Sequence, residues 1–252
     1  MGKKRLVDAA SHVYAKYRDK VEASKREHKH WASPDFIWEA LLLSAATWGN
    51  AQGGRLVHNA AFHDPIRYKA LQALASDTQR REVLADCLTK AKVRYATRKV
   101  EYLVENFRRI EASGGPEAVK KELISKPGAG AKIKFLDTFK GIGPKYARNM
   151  MMDVYHEDFR DSIAIDVRLQ KVLRNLGIQF NDAGYRAAES FLLEVAHEAG
   201  LNGWEFDRLL FSHIDEVLEL IDTPAERRPK RTAAQRARGW TREDLYTRGR
   251  SR

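Results

Sequence analysis

Between Leu136 and Leu176 the chain restricts its own fold, because two helical stretches meet across the tight turn Gly141-Ile142-Gly143. The second stretch opens with Pro144 and Lys145, proline suiting the first turn of a helix, where its missing N–H is not needed. A helix N-terminus beside a glycine turn presents unpaired amides, which attract an anion such as a nucleic-acid phosphate. Lys145 adds an amine to that first turn. Asp166 follows 21 residues later in the apolar run Ile163-Ala164-Ile165-Asp166-Val167. An amine and a carboxylate in this setting suit chemistry at a sugar carbon. Asp166 also has the position and type of an N-cap for a helix running from Val167 to Leu176.

Elsewhere apolar residues recur at helical spacing, as in Phe36, Ala40 and Leu43, or Val100, Leu103, Val104 and Phe107, so an all-α fold is expected. Ser33-Pro34-Asp35 predicts a helix start, with Ser33 as N-cap and the helix running to about Trp48 before Gly49-Asn50. Breaks are expected at Gly53-Gly54, Ser113-Gly114-Gly115-Pro116 and Lys126-Pro127-Gly128-Ala129-Gly130. The 252 residues are enough for one large domain or two small lobes.

The net charge of +11 points to a polyanionic partner. No run approaches the roughly 18 apolar residues of a spanning helix, and Met1-Gly2-Lys3-Lys4-Arg5-Leu6 lacks the apolar core of a signal peptide, so a cytoplasmic location is expected. The single cysteine, Cys87, excludes an internal disulfide and a cysteine-ligated iron–sulfur cluster. His28-x-His30 has no further ligands nearby, and no metal site built from side chains is expected. Residues 224–252 hold ten Lys or Arg against three acids, so +7 of the total charge sits in a basic arm behind a 1–223 body. A short turn of helix is expected near Trp240 to Leu245. The arm reads as a segment that orders on DNA, or as a solubilising tail.

The run Phe135-Leu136-Asp137-Thr138-Phe139-Lys140-Gly141-Ile142-Gly143-Pro144-Lys145-Tyr146-Ala147, followed by Ala164-Ile165-Asp166-Val167-Arg168-Leu169, resembles the helix-hairpin-helix DNA glycosylase superfamily. That group contains endonuclease III, 8-oxoguanine glycosylase and the alkyladenine-type enzymes. The resemblance is specific over about 40 residues, with a weaker echo at Glu39-Ala40-Leu41-Leu42-Leu43-Ser44-Ala45. It departs from the family pattern in having Lys140 where a proline is usual, Pro144 at a variable place and Arg168 in place of a common histidine. The missing cluster cysteines place the chain nearer the cluster-free branches, among relatives of 8-oxoguanine glycosylase and endonuclease III.

The resemblance implies a two-lobed helical protein with a DNA-binding cleft between lobes, its N-terminal helices folding back onto the C-terminal lobe. It implies a hairpin of Gly141, Ile142 and Gly143 that holds a phosphate, supported by Lys140 and Arg148. Lys145 takes the place of the nucleophile that marks bifunctional enzymes, and Asp166 that of the essential carboxylate. The partner implied is double-stranded DNA, bound by a monomer associated with the nucleoid. No organic cofactor is implied, although hairpin carbonyls of this family type can hold a monovalent cation. Trp48, Asn50 and Gln52 fit a wedge or a partner for the orphaned base, with Trp48 fitting the core equally well. Trp31, Trp38, Trp204, Phe206 and Phe211 fit a base pocket or, as aromatics on helices more often do, the core.

The reaction implied is excision of a flipped, modified base with Schiff-base lyase activity. Two alternatives stand beside it: a monofunctional glycosylase for an alkylated base or a modified cytosine of phage DNA, and a non-catalytic hairpin DNA-binding protein. On either enzymatic reading, deleting residues 224–252 should weaken binding to all duplexes alike. It should flatten log K against log salt by roughly 0.9 for each phosphate that the arm no longer neutralises, with discrimination between modified and unmodified DNA intact. Salt titrations of full-length and truncated protein check this, and an unchanged slope with lost discrimination would refute the arm as a phosphate binder.

Overall fold

The computed structural model describes residues 2–26, 33–47, 51–178 and 184–222. The expectations at Trp31, Trp48 and Asn50 and over the 224–252 arm lie outside these residues. Of Gln52 only the backbone is described, in the 3₁₀ turn Ala51–Gly54. No strand occurs among the described residues, and no helix there is long and apolar enough to cross a membrane. The chain falls into two compact units, one holding the described residues of Met1–His28 and Met151–Arg242, the other those of Lys29–Met150.

The Lys29–Met150 unit contains α2 (Phe36–Thr47), α3 (Arg55–His58), α4 (Ala60–His63), α5 (Tyr68–Gln72), α6 (Asp77–Lys90), α7 (Ala96–Ala112), α8 (Pro116–Ser125), α9 (Gly128–Leu136) and most of α10 (Pro144–Met152). Ser33 Oγ accepts the Asp35 amide at 3.2 Å as expected of a cap, though regular helix begins only at Phe36. The break expected at 126–130 is shorter than the glycines suggested, because α9 already starts at Gly128 and includes Gly130. On α7 the predicted stripe of Val100, Leu103, Val104 and Phe107 is buried, which removes the apolar face of this helix from water. Phe107 meets Trp38 edge-on at 5.7 Å and Tyr68 at 4.9 Å, and the Arg80 guanidinium lies 4.7 Å from the Phe107 ring centroid. Trp38 satisfies its indole N–H on the Ile66 carbonyl at 2.8 Å, so it is a core residue and not a pocket wall.

The Met1–His28 and Met151–Arg242 unit consists of α1 (Gly2–Ser24), α11 (Val167–Asn175), α12 (Tyr185–Glu198) and α13 (Gly203–Asp222), with the end of α10. The N-terminal α1 packs along α13 and α12, burying Leu6, Ala9, Ala10 and Val13 with Leu192, Val195, Phe206, Leu209 and Val217. At the start of α13 the Asn202 side chain accepts the Glu205 amide at 2.9 Å, and Glu205 reciprocates on the Asn202 amide at 2.8 Å. This capping box satisfies two donors that a helix start leaves open. Trp204 and Phe206 are buried in the core, against the pocket alternative.

Both long helices of this unit kink, α1 at Tyr17 and α13 at His213, and the two rings at the kinks stack 3.6 Å apart and nearly parallel. Tyr17 donates to Glu216 at 3.1 Å, while Lys16 and Lys20 lie over the Tyr17 ring. Burial, and next the charge of Lys20, push the His213 imidazole down to about 4 from an ordinary value of 6.5. A depressed histidine favours the folded state fully above 6.5, and that contribution is lost as pH falls toward 4. His213→Phe should therefore flatten the decline of melting temperature between pH 7 and pH 5. Equal slopes for wild type and variant would remove His213 from the acid response.

Candidate functional site

The turn expected to hold a phosphate is built on α7. Gly141 has φ +81°, and a Cβ there would stand 3.0 Å from Cδ2 of Tyr102, so glycine is required by conformation and by contact. Asn106, 2 % exposed, holds the residue before it: its Nδ2 donates to the Lys140 carbonyl at 3.0 Å and its Oδ1 accepts the Lys140 amide at 2.8 Å. Arg109 donates to the Thr138 carbonyl at 2.7 Å and lies 4.1 Å from the Phe139 ring centroid. Ile142 is buried and donates its amide to the Phe139 carbonyl at 3.1 Å, closing the turn. The amides of Gly141 and Gly143 meet no acceptor among the described residues. The Gly143 carbonyl takes the Ala147 amide at 3.0 Å and starts α10.

Lys145 is the second residue of α10, half-buried, with Nζ 4.3 Å from the Tyr146 ring centroid. Lys140 is exposed, its Nζ 3.3 Å from the Glu105 carboxylate. Arg148 is 8 % exposed and donates to the Pro144 carbonyl at 3.1 Å, which supports the first turn of α10 from within.

Asp166 belongs to the other unit. It ends the loop 153–166, which α12 and α13 pin along its length. Arg208 donates to Asp153 at 3.0 Å, the Trp204 amide to the Arg160 carbonyl at 2.8 Å, and the Gly203 amide to Asp161 at 3.2 Å. The loop runs so close to α13 that a Cβ on Gly203 would stand 2.9 Å from the Ser162 amide nitrogen. Asp166 is extended and caps α11 as expected, its Oδ1 accepting the amides of Arg168 at 2.9 Å and Leu169 at 3.0 Å. Its Oδ2 accepts no hydrogen bond among the described residues. Arg168 donates to the Phe211 carbonyl at 3.0 Å and lies 4.7 Å from the Phe211 ring centroid. No cluster of three or more potential metal ligands occurs among the described residues.

Sequence reasoning passed over Tyr95. It precedes α7 with φ 58° and ψ 37°, a strained region for an aromatic residue, and is 60 % exposed, with Arg94 5.7 Å from its ring centroid. One turn on, Arg98 donates to the hydroxyl of Tyr102, the residue that packs against Gly141. The run Lys90-Ala91-Lys92-Val93-Arg94-Tyr95 carried the signal, as basic residues interleaved with an aromatic suit phosphates and bases together.

The clamp on Lys140 yields a test. Asn106→Ala leaves a donor and an acceptor unmet beneath the hairpin and should cost about 2–3 kcal/mol of stability. Asn106→Asp keeps the acceptor for the Lys140 amide but turns a buried carboxylate oxygen toward the Lys140 carbonyl, so it should also be less stable than wild type. Denaturant unfolding of the three proteins checks this, and equal stability of Asn106→Ala and wild type would show that the clamp carries no weight.

No family model matches the sequence, and no curated protein matches it significantly. Solved structures do resemble the fold. The 8-oxoguanine DNA glycosylase of Thermotoga maritima superposes with a TM-score of 0.64 at 18 % identity, over 84 % of this chain and 96 % of that one. The 8-oxoguanine DNA glycosylase of Methanocaldococcus jannaschii gives 0.65 at 20 % identity, over 83 % and 93 %. The 8-oxoguanine glycosylase/lyase of the same organism, in complex with a 15mer DNA containing 8-oxoguanine, gives 0.64 at 19 % identity, over 81 % and 94 %. The chain thus shares the helical fold of these 8-oxoguanine DNA glycosylases.

Proposed function

We propose that this chain is a DNA glycosylase that excises a modified base from double-stranded DNA, an oxidised purine such as 8-oxoguanine foremost, and then cleaves the strand as a lyase. The observation that carries the proposal is the position of Lys145 in the first turn of α10, directly after a glycine hairpin whose Gly141 and Gly143 amides meet no acceptor among the described residues. Those amides suit a phosphate oxygen, and anion binding there fixes the register of a strand without reading its bases.

In this reading the Lys145 amine, once deprotonated, attacks C1′ as the C1′–N bond breaks and the base departs with a proton. Opening of the sugar ring, in which the C1′–O4′ bond breaks and O4′ takes up the proton given up by the amine, leaves an imine between Nζ and C1′. Removal of a C2′ proton then expels the 3′ phosphate by β-elimination, and water releases the lysine. Asp166 serves the first step: with Oδ1 committed to the α11 cap, Oδ2 supplies negative charge toward the cationic character that grows on the sugar. Tyr95, with Arg94 and Arg98, suits contact with stacked bases and backbone near the hairpin.

Borohydride added during turnover on a duplex with one 8-oxoguanine should trap a protein–DNA adduct at Lys145, and Lys145→Gln should abolish both trapping and strand cleavage. Base release without trapping would leave a monofunctional glycosylase. Asp166→Asn should keep or raise duplex affinity while base release falls about 10³-fold or more, the mark of a group that acts mainly in the transition state. Wild-type protein that binds DNA yet releases no base from any modified duplex would favour the non-catalytic reading.

A further inference from the structure

Three successive amides leading into Asp166 take no partner from the backbone. Ile163 N–H donates to Oε1 of Glu189 at 3.1 Å, Ala164 N–H to Oδ1 of Asp207 at 3.0 Å, and Ile165 N–H to the Tyr185 hydroxyl oxygen at 3.0 Å. The same hydroxyl donates to the Ile163 carbonyl at 3.0 Å. Tyr185 therefore bridges the carbonyl and the amide that flank Ala164, while the carboxylate of Asp207 holds the amide between them. Glu189 is 9 % and Asp207 5 % exposed, and the three backbone residues are themselves buried.

Apolar packing of Ile163 and Ile165 resists withdrawal of the segment into water, but it is non-directional and leaves rotation about the backbone free. Hydrogen bonds are directional, and those to a carboxylate are the stronger kind. Four of them fix the three successive peptide planes from Ser162–Ile163 to Ala164–Ile165, the last of which lies one peptide before Asp166. We propose that Tyr185 and Asp207 are positioning residues for Asp166, setting the orientation of its carboxylate through the backbone that carries it. The proposal rests on the catalytic part given to Asp166 above.

Tyr185→Phe keeps the ring and deletes the two hydroxyl bonds to the Ile163 carbonyl and the Ile165 amide. Asp207→Asn retains an acceptor oxygen, whereas Asp207→Ala removes it. Two measurements apply to the full chain. The first, amide hydrogen exchange, needs no activity: Tyr185→Phe and Asp207→Ala should speed exchange at Arg168 and Leu169, the donors to Asp166, by about 10-fold, with the interior of α12 unchanged. The second is single-turnover base release from a duplex with one 8-oxoguanine, beside duplex affinity. Here release should fall about 10–100-fold, as misplacement of a reacting group does, with affinity within about 2-fold, and Asp207→Asn should recover most of the rate.

Unchanged exchange at Arg168 and Leu169 in both Tyr185→Phe and Asp207→Ala would overturn the proposal. So would a parallel fall of rate and affinity, or Asp207→Asn as impaired as Asp207→Ala. Wild-type protein that releases no base would overturn the proposed function instead, and the exchange data alone would then decide whether Tyr185 and Asp207 orient Asp166.

Discussion

A buried peptide group outside a helix must find a hydrogen-bond partner, and where no strand lies alongside, a side chain can supply it. This requirement shapes both segments that carry the candidate chemistry. The turn before α10 hangs on Asn106, whose amide meets the amide and carbonyl of Lys140 as a neighbouring strand would. The stretch before α11 hangs on Glu189, Asp207 and Tyr185. Indole donors do similar work at the last residues of helical turns, Trp38 on Ile66 and Trp204 on Met152. Helices supply the scaffold and the apolar burial. A few polar groups on their inner faces decide where the irregular backbone goes.

Such an arrangement puts much stability at risk in single side chains. Packing spreads the worth of a residue such as Phe107 over many weak contacts. A buried Asn or Asp concentrates its worth in one or two bonds, and removing it leaves the partner desolvated and unmet. The two kinds of support answer different demands: packing sets the distance between helices, and the polar bonds set the direction in which a loop residue points.

The parts of this design that obey local rules could be read in advance. Helical periodicity gave α7, the Gly-Ile-Gly run marked the tight turn ahead of α10, and Asp166 before Val167 was recognisable as a cap because capping is decided within three residues. The supports could not be read. Asn106, Glu189 and Asp207 look like ordinary polar positions on amphipathic helices, since their backbone partners lie 26 to 43 residues away. The aromatics stayed open between pocket and core, with the core the commoner place, for a related reason: Trp38 and Trp204 carry a polar edge that fits either, and the carbonyls at Ile66 and Met152 settle the matter for the core. Gly128 and Gly130 suggested a longer break because glycine lowers helix propensity, but α9 begins there regardless.

The division of the chain into units has a consequence for synthesis. The described residues of one unit lie within the single stretch 29–150, whereas α1 buries Leu6, Ala10 and Val13 against helices that end at Asp222. On a ribosome adding about 5–20 residues per second, α1 waits roughly 10–40 s for its neighbour α13. The later-encoded unit can be complete while the earlier segment still shows its apolar stripe to water. Newly made α1 is thus the segment for which a chaperone has the longest opportunity.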